Sequence, residues 1–443
     1  MASGTSSALL TDRYELTMLE AALRDGTAAR PCVFELFGRR LPGARRFGVV
    51  AGTGRLLERV RDFRFGEDEL RYLRDERVVD ADTVAYLEGY RFRGSITGYR
   101  EGELYFPGSP ILTVEGSFAE AVLLETIALS ILNHDSAVAN AAARMSIAAG
   151  DRPLAEMGSR RAAEESAVAA ARAAYIVGFD ATSNLEAGRR WGLPTMGTAA
   201  HSWTLLHDTE EEAFRSQLAA QGTDTTLLVD TYDIREGVAT AVRLAGPGLG
   251  GVRIDSGDLP TVAAEVRAQL DGLGATGTRI TVTSDLDEYA IAALAASPVD
   301  AYGVGTSVVT GSGSPTAGMV YKLVARQDAA GSWVAVAKAS TDKGSRGGRK
   351  AAFRTLESGT ATSELVAVSD GFEERQTAAD HPGARALQVP LVDNGETDAA
   401  WEGPAGVAAA RAHHGRVREE LPVRALALSR SDPALPTVFV DAG

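Results

Sequence analysis

Seven short apolar runs in the middle of the chain each end in small, polar or ionisable residues. Residues 154–157 lead into Gly158, Ser159, Arg160 and Arg161; residues 175–179 into Asp180, Thr182, Ser183 and Asn184; residues 195–197 into Thr198, Ala199, Ala200, His201 and Ser202. Residues 226–229 precede Asp230 and Asp233, and residues 251–254, with Arg253 inside the run, precede Asp255, Ser256, Gly257 and Asp258. Residues 279–283 precede Ser284 and Asp285, and residues 301–304, which include Gly303, precede Gly305 and Thr306. His201 is the most informative of these. Its neighbours are all small, which leaves room for a ligand, and a neutral imidazole serves as a general base or phosphoryl acceptor near pH 7. The bland alternative is a buried, hydrogen-bonded histidine. Arg160, Arg161 and Arg253 carry the guanidinium fork that matches a carboxylate or phosphate. The alternative for Arg160 and Arg161 is ion pairing with Glu156 and Glu164. Arg253 sits inside an apolar run beside Asp255, where a charge needs a partner or a ligand. Two strand ends, 303–307 with Gly303, Gly305 and Thr306, and 255–258 with Ser256 and Gly257, are small enough for backbone N–H groups and hydroxyls to close on a phosphate, and Ser284 and Asp285 join the expected phosphate site. Asp255 and Asp258 would repel phosphate and fit ribose hydroxyls or Mg²⁺ instead. His207 flanks an expected helix start, and His381, His413 and His414 fall in weakly patterned polar stretches; all read as surface residues.

The elements that hold these residues follow from the rhythm of the chain. Apolar runs followed by helical stretches at spacings of roughly 20–30 residues imply parallel βα units. Two later runs, 319–324 and 333–337, bring the expected strands to nine, which suggests a closed or nearly closed α/β barrel, with an open doubly wound sheet as the alternative. In such barrels the C-terminal strand ends form the active face. Ahead of the barrel, residues 12–25 read as a capped helix carrying Tyr14 and ending at Gly26, and residues 90–116 alternate like an antiparallel hairpin. Residues 118–149 form an apolar helical stretch with an expected break near residues 133–135. The expected domains are 1–150, the barrel at 151–340, and a C-terminal region at 341–443 that packs with the N-terminal part. The basic run 338–350 reads as a solvated loop.

The 443 residues hold 45 Lys and Arg against 59 Asp and Glu, a net charge of −14. That acidity argues against nucleic acid as the main partner. The single cysteine, Cys32, excludes an internal disulfide and fits a reducing cytoplasm. The longest apolar stretch, residues 121–128, is interrupted by Glu125 and is too short for a membrane span.

In combination, five blocks resemble the nicotinate phosphoribosyltransferase family: residues 11–18 (TDRYELTM), 156–161 (EMGSRR), 197–202 (GTAAHS), 251–258 (GVRIDSGD) and 303–306 (GVGT). The resemblance implies an irregular α/β barrel of the type II phosphoribosyltransferase kind plus a second α/β domain built from the N- and C-terminal parts. It implies cytoplasmic homodimers with active sites at subunit contacts. The implied reaction converts nicotinate and phosphoribosyl pyrophosphate, with ATP and water, to nicotinate mononucleotide, pyrophosphate, ADP and phosphate, with Mg²⁺. Carried over by position, His201 is similar to the family's transiently phosphorylated histidine, Tyr14, Thr198 and Arg253 to nicotinate contacts, and Thr306 to a phosphoribosyl-phosphate contact. Arg160 and Ser202 join the expected substrate site and Asp255 the catalytic one. A nicotinamide phosphoribosyltransferase is the nearest rival. A Schiff-base aldolase would need a strand-end lysine, which neither Lys322 nor Lys338 supplies.

Overall fold

A computed structural model describes residues 6–338, 346–369 and 376–442. The chain forms two compact units, one from residues 141–315 and the other from residues 1–140 with 316–443.

The first unit is an irregular, open α/β barrel. Its sheet runs Ala181–Thr182, Leu154–Glu156, Ala301–Val304, Arg279–Val282, Gly251–Ile254, Thr226–Leu228, and each neighbouring pair is parallel. A parallel bridge from Thr182 to Thr195 extends it on one side. Val252, Ile254, Ile280, Val282 and Val304 are fully buried, as expected of parallel strands covered on both faces. Helices follow the strands with side-chain caps: Asn184 accepts from Ala187 N–H, Asp233 from Glu236 N–H, and Asp287 from Tyr289 and Ala290 N–H. Residues 175–179, expected as a strand, instead finish the helix Glu164–Ile176 and its exit turn. The alanine-rich run before them favours helix, and with Ala167 to Ala174 buried all round it shows no polar face to mark the period. The barrel strand that follows is only Ala181–Thr182.

The second unit joins the two ends of the chain. Its seven-stranded sheet runs Trp333–Ala335, Met319–Gln327, Pro31–Gly38, Leu112–Ser117, Ser95–Tyr99, Gln388–Asp393, Glu396–Thr397. All its pairings are antiparallel. The runs at 319–324 and 333–337 are therefore strands, but they belong to this sheet and not to the barrel. A four-stranded sheet of Ala384–Ala386, Arg349–Glu357, Thr360–Ser369 and Thr437–Ala442 completes the unit. The expected first helix is Arg13–Asp25, closed by Gly26 at φ 78°, with Leu16, Leu19 and Ala22 buried.

The stretch 118–149 breaks at Leu123–Leu124, between Phe118–Val122 and Glu125–Ala149, and not at 133–135. The polar residues there serve tertiary contacts while the helix continues through them. Asn133 Oδ1 accepts from Met319 N–H at 2.8 Å, and buried Asp135 takes Arg55 at 2.7 Å. The stretch has the length and hydropathy of a membrane span, but 67% of its apolar window is buried inside the protein, as in a core helix.

Three surface readings change. Lys350 lies on a strand, 3% exposed, with its ammonium 2.8 Å from Glu35; residues 339–345 of the basic run lie outside the described residues. His414 is also buried, with Nδ1 2.9 Å from Gly102 O, and burial pushes its imidazole down to about 4. His413 sits 2.9 Å from buried Glu103, which also takes both Nη groups of Arg385.

Candidate functional site

Every strand of the barrel delivers its polar residues at its C-terminal end, so parallel pairing places them on one face of the sheet. Met157, Arg160, Arg161, Arg253, Asp255, Thr283, Ser284, Asp285, Gly303, Gly305 and Thr306 line a cavity of about 240 Å³ there. Nine residues singled out from sequence are in that lining: Arg160, Arg161, Arg253, Asp255, Ser284, Asp285, Gly303, Gly305 and Thr306.

Arg253 lies at the centre of the hydrogen bonding. Its Nε–H donates to Thr283 Oγ1 at 3.2 Å, and Nη1 donates to Thr198 Oγ1 at 2.7 Å and Ala199 O at 3.1 Å. Nη2 has no partner among the described residues. Burial lowers the Arg253 pKa, opposed by Asp255 and Asp230, while Arg160 lowers it further. Asp255, whose charge acts on Arg253 directly, is also linked to it through Thr283, whose hydroxyl donates to Asp255 Oδ1. Thr198, outside the cavity lining, is tied to the site by its bond to Arg253.

His201 opens the short helix His201–Leu206. Its Nδ1 is 3.1 Å from Thr231 Oγ1, and Nε2 is 3.8 Å from Asp255 Oδ2, beyond hydrogen-bond range. The side chain is 41% exposed, so the buried-histidine alternative does not hold. Ser202 occupies the next position on that helix and is exposed. His207 packs edge-on against Trp203 and bonds its carbonyl at 2.9 Å.

The strand end expected to face phosphate is built from small residues under tight constraint. A Cβ on Gly303 would lie 2.6 Å from Thr283 Cγ2 and 2.7 Å from Met157 Sδ, so only glycine fits. Ser284 holds φ 116°, a conformation that costs a non-glycine residue on the order of 1–3 kcal/mol and is concentrated at functional sites. Asp258 caps the helix Leu259–Gly272 through Thr261 N–H and is not in the lining. Arg160 and Arg161 are exposed and have no ion pair among the described residues. The ion-pair alternative does not hold: Glu156 bonds Gly158 N–H and Thr182 O–H, and neither it nor Glu164 pairs with these arginines among the described residues.

Tyr14 belongs to the unit of residues 1–140 with 316–443 and is 45% exposed. Burial of its hydroxyl, with Glu125 beside it, pushes the phenol up to about 12. Leu9, Leu10 and Met18 are also exposed.

Three residues in the network were not singled out as site residues. Thr283 bridges Arg253 to Asp255, Thr231 orients His201, and Asp230 Oδ2 accepts from Asp255 N–H at 2.8 Å and Ser256 Oγ at 2.7 Å. All three lie at or just beyond an expected strand end, a positional signal that would have found them.

Comparison with known proteins gives a consistent result. Residues 9–133 match the nicotinate phosphoribosyltransferase (NAPRTase) N-terminal domain. A Mycobacterium tuberculosis nicotinate phosphoribosyltransferase is 56% identical over 443 residues, covering 98% of this chain and 95% of that protein. A Bacillus subtilis nicotinate phosphoribosyltransferase is 40% identical over 370 residues, 81% of this chain and 75% of that one. Among solved structures, human nicotinic acid phosphoribosyltransferase superposes with a TM-score of 0.79 at 26% identity, covering 97% of each chain. With identity at this level along nearly the whole length, the chain belongs to the nicotinate phosphoribosyltransferase family.

Proposed function

We propose that this protein forms nicotinate mononucleotide and pyrophosphate from nicotinate and phosphoribosyl pyrophosphate, coupled to ATP hydrolysis through a phosphohistidine at His201. The observation that carries the reading is Arg253, a residue of the cavity lining whose Nε and Nη1 are fixed by Thr283, Thr198 and Ala199 while Nη2 has no partner among the described residues. A held guanidinium with a free edge suits one carboxylate, and the carboxylate is what separates nicotinate from nicotinamide.

In the reaction the pyridine nitrogen attacks C1 of the ribose as the C1–O bond to pyrophosphate breaks. Positive charge builds on the sugar and negative charge on the leaving group. Asp255 is the carboxylate suited to the first, and Arg160 with the Gly303, Gly305, Thr306, Ser284 and Asp285 strand ends supplies donors and space for the phosphates. Thr198 and Ser202 border the path to the pyridine. Asp285, like Asp255, repels phosphate unless a cation intervenes. Among the described residues no group of three acidic, histidine or cysteine side chains is arranged to hold a metal. Mg²⁺ would therefore arrive on the substrate phosphates, with Asp255 and Asp285 as outer carboxylates, and would supply charge neutralisation there.

For the ATP half-reaction, the tautomer with the proton on Nδ1, donated to Thr231 Oγ1, makes Nε2 the nucleophilic nitrogen of His201. Nε2 takes the γ-phosphoryl group as the bond to ADP breaks, and water later releases phosphate. The homodimer reading rests on the exposed apolar set Leu9, Leu10, Tyr14 and Met18. A second copy would cover this set and place the partner's Tyr14 against the pyridine ring. The cytoplasm is the compartment that supplies these phosphorylated substrates.

The test is nicotinate mononucleotide formation by the purified chain, with and without ATP and with nicotinamide as the competing ring. Turnover of nicotinate stimulated by ATP supports the reading. Equal use of both rings, or no ATP effect on rate or yield, refutes the corresponding part.

A further inference from the structure

Glu156 ends the Leu154–Glu156 strand, and its side chain is fully buried. No cation contacts it among the described residues. Burial pushes its carboxyl up, and only two neutral donors pull it back. Those donors divide its oxygens between two strand-end segments. Oε1 accepts Gly158 N–H at 2.5 Å and Oε2 accepts Thr182 O–H at 2.6 Å. A carboxylate is the side chain that accepts at both ends; an amide of the same length accepts at only one. Burying one without a counter-charge is costly, so the arrangement is expected where both contacts are needed.

Each segment is then fastened further. Met157 N–H donates to Val304 O at 2.7 Å, and Arg161 N–H donates to Gly158 O at 2.8 Å to close the turn. Gly158 itself has no slack, since a Cβ there would lie 2.2 Å from Val309 Cγ1 and 2.9 Å from Gly305 O. On the other side, Asn184 N–H donates to Thr182 Oγ1 at 3.0 Å, and Asn184 Nδ2 returns to Ser159 Oγ at 3.0 Å. The turn that carries Arg160 and Arg161 into the cavity is thus clamped between the Glu156 carboxyl, Asn184 and the 305–309 segment, although both arginine heads are exposed.

We infer that Glu156 is a positioning residue for anion binding: by holding Gly158 and Thr182 at once it aims Arg160 and Arg161 at the phosphates of phosphoribosyl pyrophosphate. This rests on the reading of the cavity given under Proposed function.

The test compares Glu156→Gln, Thr182→Val and the double variant with the unaltered protein, by steady-state kinetics in both substrates, calorimetric titration with inorganic pyrophosphate, and thermal melting. Glu156→Gln is expected to raise the KM for phosphoribosyl pyrophosphate and the Kd for pyrophosphate about tenfold, the effect of one strained or lost charge-assisted bond. The nicotinate KM should stay within twofold. Thr182→Val should move the same two constants less, and the double variant should be no worse than Glu156→Gln alone, because the two residues act as one unit. If Glu156→Gln is not recovered folded, Thr182→Val carries the same comparison. Unchanged pyrophosphate affinity, or a parallel rise in both KM values that tracks a lowered Tm, overturns the positioning role. An unaltered protein that makes no nicotinate mononucleotide overturns the functional reading itself, so the two failures are distinguishable.

Discussion

Removal of the Arg253 guanidinium tests the proposed chemistry most directly. The side chain lines the cavity and spends Nε and Nη1 on neutral acceptors, with the short bond being the 2.7 Å contact to Thr198, while Nη2 has no partner among the described residues. Arg253→Ala deletes the charge-assisted pair with the nicotinate carboxylate and also leaves two threonine hydroxyls and a carbonyl to be resolvated. In a partly buried setting such a pair is worth on the order of 2–4 kcal/mol, which corresponds to a loss of roughly 30- to 1,000-fold in kcat/KM for nicotinate. Arg253→Lys keeps the charge but not the fork and should lose about tenfold. The assay is initial rates with each substrate varied at saturating concentrations of the other, repeated with nicotinamide. The KM for phosphoribosyl pyrophosphate should move less than threefold, and the preference for nicotinate over nicotinamide should collapse. An equal rise in both KM values, with the ring preference intact, would place Arg253 on the phosphates and refute the assignment.

Three other outcomes are expected. Tyr14→Phe should leave nicotinate kcat/KM within twofold while Tyr14→Ala lowers it at least tenfold, because the ring face makes the contact and the hydroxyl is already turned to Glu125; equal damage from both, in the same rate assay, excludes stacking. His201→Ala should lose both the acid-labile label left by radiolabelled ATP and the ATP stimulation while retaining slow ATP-independent turnover, and His207→Ala should retain label and stimulation; a labelled His201→Ala protein would exclude the phosphohistidine. Urea unfolding should show His414 as an acid-sensitive element: its folded pKa of about 4 lies below the ordinary 6.5, so the unfolded chain binds the extra proton and stability is lost as pH falls from about 6.5 toward 4, with full stability above that window. The loss at pH 5 is on the order of 2 kcal/mol, and His414→Asn, which keeps a donor for Gly102 O, should flatten it; an unchanged slope between pH 7 and pH 5 would refute the linkage.

Much of the barrel was legible because its information is local. The strands Gly251–Ile254 and Ala301–Val304 begin and end where the apolar runs do, since a strand covered on both faces needs an unbroken apolar run, and their site residues follow within a few positions. The same rule misread residues 175–179, because an alanine-rich helix buried on every side is also an unbroken apolar run. Strand type was correct for Met319–Gln327, yet its partner Pro31–Gly38 comes from the far end of the chain, and nothing in either segment names the other.

That distinction between a residue and its partner explains what escaped at the site as well. His413 and Lys350 look like surface residues until Glu103 and Glu35, 310 and 315 positions away, are brought against them. By sequence Arg160 and Arg161 are either anion ligands or ion-pair partners of Glu156 and Glu164, and spacing alone does not separate the two. The structure separates them by contact: Glu156 bonds Gly158 and Thr182, while Arg160 and Arg161 form no ion pair among the described residues and line the cavity. A buried carboxyl whose partners among the described residues are neutral is a poor stabiliser of the fold on its own account. It is intelligible when the cost of burial is set against the orientation of cations that must meet a polyphosphate, and it places part of the substrate specificity one residue layer behind the cavity wall.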